Sequence, residues 1–158
     1  MKRFLLLVIA ATIMCVTPVF AEENAQNTNM QILLDKVKAD KKLLIASNMD
    51  LTDQESKEFW PLYEGYQKDL EKLNRHLGGL INEYAEAYNK GSVPESVAKD
   101  LINESLKTEG AEVKMRREYA EKLSKVLPAH KVARYLQMEN KIRAAIKFDL
   151  AANIPLMD

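Results

Sequence analysis

The sequence predicts an all-α protein, a long kinked antiparallel helical hairpin flanked by an N-terminal and a C-terminal helix. Three observations carry this. Glycine and proline are scarce, five of each in 158 residues, which leaves little punctuation for a strand-and-turn fold. Apolar residues recur at intervals of three and four over long stretches, the spacing of one helix face, and no stretch alternates in the two-residue rhythm of a half-buried strand. Two sequences of the form S/T-x-x-E, Thr52 to Glu55 and Ser92 to Glu95, stand at the heads of such stretches, where capping boxes belong.

The first residues are read apart from the fold. Met1-Lys2-Arg3 is a charged start, Phe4 to Val16 an apolar run, and Val19-Phe20-Ala21 a small-residue cleavage site before Glu22 and Glu23, the pattern of a secretory signal peptide. Residues 1–21 are therefore expected to be removed, leaving 22–158 as a single helical domain. The apolar run falls short of the roughly 20 residues a membrane span needs. The only cysteine, Cys15, lies inside that run behind Met14, where a lipoprotein signal would carry a small residue. An exported chain without disulfides depends on helix packing alone, and the expected compartment is the periplasm.

The first helix is expected from about Thr28 to Asn48, with Ile32, Leu33, Val37, Leu44 and Ile45 along one side, and Met49-Asp50-Leu51 as the link onward. The second begins at the cap Thr52. From there Phe59, Tyr63, Tyr66, Leu70, Leu73, Leu77, Leu80, Tyr84 and Ala87 repeat at alternating spacings of four and three, a coiled-coil type seam. Pro61 falls inside this helix. It removes one ladder hydrogen bond and predicts a kink, with Phe59 and Trp60 as the aromatic anchor filling the bend. The stretch Asn89-Lys90-Gly91-Ser92 ends the helix, and the third is expected to start from a Ser92/Glu95 cap with Pro94 in its first turn. Its expected seam is Ile102, Leu106, Val113, Ala120, Leu123 and Leu127, interrupted by Glu109 and Arg116 in the same column. Leu127-Pro128 breaks the run, and a fourth helix runs from about Ala129 to Ala152, until Ile154-Pro155-Leu156 stops it. So thin a set of helices cannot cover every seam residue from both sides, and some apolar surface is expected to meet a partner.

Charge is divided along the chain. Residues 22–113 carry 11 basic and 18 acidic side chains, whereas 114–147 carry 10 basic and 3 acidic. A homodimer, its acidic part facing its partner's basic part, follows as an expectation, and nucleic acid is not an expected partner. Lys131, Arg134, Met138 and Lys141 share one side of the fourth helix, where wet cationic heads with apolar stems surround an adaptable thioether. They are the candidate client-binding residues, suited to unfolded polypeptide and to contact with the envelope surface.

Chemistry at a single site finds little support. His76 and His130 stand far apart with no cysteine or second histidine at ligand spacing, so no metal centre is predicted. No phosphate loop, nucleophile elbow or HExxH element occurs. No cofactor and no enzymatic activity are expected.

Leu51-Thr52-Asp53-Gln54-Glu55 resembles the LTxxQ signature of the Spy/CpxP group of periplasmic proteins, with Glu55 in place of the family's glutamine. A second such signature would fall near Leu127, where Leu127-Pro128-Ala129-His130-Lys131 matches only at the leucine. The resemblance implies an ATP-independent chaperone or stress-response adaptor, a dimer that holds unfolded clients in a shallow cradle. The alternative is a specific regulatory or structural helical partner, such as an inhibitor of a membrane sensor.

Overall fold

A computed structural model describes residues 40–157. The expected signal peptide and most of the expected first helix lie outside these residues. Within them are four helices: α1, residues 40–49; α2, Asp53–Asn89; α3, Glu95–Leu123; and α4, Ala129–Asn153. The chain from Leu43 onward forms one compact unit.

The link between α1 and α2 is short because Asp50 takes a left-handed conformation (φ 47°), which aspartate tolerates better than most residues. It turns the chain directly into the cap of α2. Thr52 is extended, its hydroxyl accepts from the Glu55 amide at 3.2 Å, and its own amide donates to the Glu55 carboxylate at 2.8 Å. The expected capping box is present with both bonds made.

Pro61 leaves the Lys57 carbonyl without its helical donor, yet α2 continues through it to Asn89 as one helix. The ring lies on the exposed side, where the freed carbonyl can turn to water. Gly91, with φ +102°, then closes the C-terminus, its amide donating to the Tyr88 carbonyl at 3.0 Å. Only glycine enters that region without a Cβ penalty.

The second expected cap is corrected. The first helical residue of α3 is Glu95, the N-cap is Pro94, and no side chain caps the end. A Ser92 cap would require Val93 to be helical, and the residue before a proline is driven to extended conformations. The rule excluding Val93 from the helix therefore outweighs the S-x-x-E pattern.

The core joins the N-terminal half of α2 to the C-terminal half of α3 and the start of α4. Ile45 and Met49 of α1 are fully buried in it with Phe59 and Tyr66, beside Tyr63, Met115, Tyr119, Leu123, Leu127, Val132 and Tyr135. Most of its aromatic pairs meet edge to face: Phe59 and Tyr135 at 5.3 Å, Tyr66 and Tyr119 at 5.4 Å, Phe59 and Trp60 at 5.0 Å between ring centres. Each such pair contributes roughly 0.5–1.5 kcal/mol beyond its buried area. Phe59 is thus a centre of the core, and Trp60 flanks it half-buried.

On α3 the seam lies one residue from its expected position as far as Tyr119, and meets it at Leu123 and, beyond the helix, at Leu127. Leu101, Thr108, Met115, Tyr119 and Leu123 are buried, whereas Ile102, Leu106 and Val113 are 56%, 63% and 57% exposed. Rotating α3 this way seats two large side chains, Met115 and Tyr119, and lets the Tyr119 hydroxyl donate to Asp69 at 2.9 Å. Gly65 makes the approach possible, since a Cβ there would stand 2.9 Å from that hydroxyl oxygen. Thr108 enters the seam at little polar cost because its hydroxyl donates to the Glu104 carbonyl of its own helix at 2.7 Å.

Candidate functional site: an apolar groove

Beyond the aromatic core, α4 meets the hairpin through long polar side chains. Gln67 donates to the carboxylate of fully buried Glu139 at 2.9 Å, Arg143 donates to the Tyr66 hydroxyl at 3.0 Å, and Glu112 pairs with both Arg143 and Lys147. Burial, with the Glu139 carboxylate adding to it, pushes the Tyr66 phenol up to about 12. The Tyr119 phenol is likewise pushed up to about 12 by burial, then by its bond to Asp69. Both rings stay neutral at physiological pH.

Extended Arg, Lys, Glu and Gln side chains span more distance than the Leu or Ala of a tight helix contact, and Glu112 and Lys147 of this polar layer also line the space beside it. That space is a groove of about 660 Å³, within the range of ordinary ligand sites. Leu77, Leu80 and Ile81 of α2, Leu101 and Ile102 of α3 and Leu150 of α4 give it a mainly apolar lining, to which Glu109, Glu112 and Lys147 add charge. Ile154, Pro155, Leu156 and Met157 border it at the end of the chain, and the Tyr84 hydroxyl there donates to the Pro155 carbonyl at 3.0 Å.

The four candidate client-binding residues do not form one free surface. The Lys131 ammonium donates to the Asp50 carbonyl at 2.6 Å and to Glu55 at 2.7 Å, with only 15% of its side chain exposed. It ties the start of α4 to the α1–α2 corner. That bond, followed by the Thr52 amide, holds the Glu55 carboxyl below its ordinary range. Met138 packs half-buried against the core, while Arg134 and Lys141 remain exposed. His76 meets Glu104 across the hairpin at 3.1 Å, both partly exposed, and among the described residues no three His, Cys, Asp or Glu side chains gather as metal ligands would.

Leu77 and Leu80 of the groove belong to the α2 seam read from sequence, whereas Ile81 lies beside that seam. Leu101 and Ile154-Pro155-Leu156 carry no site signal in the sequence, because the first depends on the rotation of α3 and the second reads only as a helix stop. No helix among the described residues is long and apolar enough to cross a membrane. No protein-family model matches the chain, and neither a curated protein nor a solved structure matches it.

Proposed function

We propose that the protein is a periplasmic, ATP-independent holder of unfolded or partly folded proteins. The observation that carries this reading is the open aliphatic groove between α2, α3 and the end of α4. A groove of this kind binds by burying apolar area, at about 25 cal/mol per Å², and needs neither nucleotide nor cofactor. Exposed Ile102, Leu106 and Val113 add apolar surface on α3, and such patches accept segments of varied sequence. The export-signal pattern at residues 1–21 and the LTxxQ-like cap at Leu51–Glu55 support the same assignment.

The test is protection of several unrelated denatured proteins from aggregation, without nucleotide, as followed by light scattering. The parent protein should suppress scattering in all of them, and Leu80→Asp with Ile102→Asp should abolish suppression while helicity by circular dichroism is kept. Protection of none, together with one tight complex with a single envelope protein, would make the chain a specific regulatory partner instead.

A further inference from the structure

One border of the groove is the last described segment of the chain, held at its Tyr84 end. After α4 ends, Ile154 closes the last turn through its amide to the Leu150 carbonyl at 3.0 Å, and the apolar tail Ile154-Pro155-Leu156-Met157 lines the groove beside Tyr84. Proline has no amide hydrogen, so position 155 offers its carbonyl alone, and Tyr84 takes it. The hold is light. Ile154 is half-buried, but Leu156 is 88% exposed and Met157 44% exposed, although both border an apolar surface that would cover them.

Resting on the reading of the groove as a client site, we infer that the C-terminal tail is its resident occupant, a strap that an extended apolar segment of a partly folded protein displaces to take the same seat. Tyr84 then binds a client backbone carbonyl as it binds that of Pro155, and Leu77, Leu80 and Ile81 receive the apolar side chains. A backbone carbonyl and flanking aliphatic groups are available in any unfolded chain, so such a seat selects for exposed apolar segments rather than for one sequence. The strap shields part of the groove when no client is present, which limits self-adhesion through it.

A fluorescein-labelled peptide of residues 153–158 serves as the probe, titrated by fluorescence anisotropy. Ile154→Ser with Leu156→Ser, in the otherwise full chain, frees the seat and should bind the peptide about tenfold more tightly than the parent, the factor for a seat held about nine-tenths of the time. A chain ending at Asn153 should do the same. Tyr84→Phe should weaken the peptide about fivefold where the strap is disabled, the loss of one hydrogen bond, and by less than about twofold in the parent chain, where the strap is loosened by the same loss. Equal binding to parent and strap-disabled proteins, or the same loss on Tyr84→Phe in both, overturns the inference. Aggregation protection in the same variants separates the two ideas: protection without peptide competition removes the strap alone, whereas protection absent with and without the strap removes the client reading beneath it.

Discussion

Thr52 and Lys131 converge on the Glu55 carboxylate, one from the head of its own helix and the other from the first turn of α4. The Thr52 amide and the Lys131 ammonium both donate to it, so a single carboxylate caps α2 and fastens α4. Thr52→Ala should lower stability by about 1 kcal/mol in a urea titration, the ordinary loss of an N-cap; no loss would mean that the hydroxyl contributes nothing to α2. Lys131→Glu should lower the melting temperature by placing like charges together, whereas Arg134→Glu with Lys141→Glu should leave it nearly unchanged, because both are exposed. A Lys131→Glu protein that melts with the parent would return Lys131 to the free surface. The tyrosines set a second limit. Tyr66 and Tyr119 titrate at 10.0 when unfolded and about 12 when folded, so the folded state holds more protons between these values. The stability this contributes is complete below about pH 10 and is lost as pH rises toward 12. Melting temperatures measured from pH 8 upward should fall beyond pH 10, and tyrosinate absorbance appearing with its ordinary midpoint in the native protein would contradict the burial argument.

At the level of the elements, what could be read in advance divides by range. The α2 cap, the α2 seam and the breaks at Asn89 and Pro128 are local patterns, and the structure carries each of them. The Ser92 cap was a local pattern opposed by another, the restriction on Val93 before proline, and the restriction won. The rotation of α3 was not local at all. Its aliphatic column at 102, 106 and 113 keeps good helical spacing, but the choice between that column and Met115 with Tyr119 depends on Tyr66 and Asp69, which lie some fifty residues earlier. The pairing of Lys131 with Glu55 spans 76 residues and is invisible to periodicity for the same reason. Truncation measurements read this register directly. Met115→Ala should cost about 3 kcal/mol, a buried side chain exchanged for a cavity, and Val113→Ala should stay within about 0.5 kcal/mol as a surface change. The reverse order in urea denaturation would restore the register expected from the heptads.

For the whole molecule the division of charge matters most. Part of it is consumed within the chain, where Lys131 neutralises Glu55 and where Arg143 and Lys147 neutralise Glu112. Most of the rest is exposed: Lys114, Arg117, Lys122, Lys125, Arg134 and Lys141 lie on the surface in the basic stretch, and only Arg116 is half-buried, while the preceding residues remain acidic in excess. Two copies aligned antiparallel would set each basic stretch against the other's acidic part, which favours encounter and register more than raw affinity. Exposed Leu106 and Val113 would add apolar area to such a contact. Sedimentation at micromolar concentration in low salt should therefore give a dimer. Raising ionic strength from about 0.01 to 0.15 M shortens the screening length from about 30 to 8 Å, and should shift the boundary toward monomer. A dimer held mainly by the apolar stripe would ignore salt and fall apart on Leu106→Glu, which assigns the interface to the stripe; a monomer in low salt would leave the two charged regions to clients or to the envelope surface rather than to a second copy of the chain.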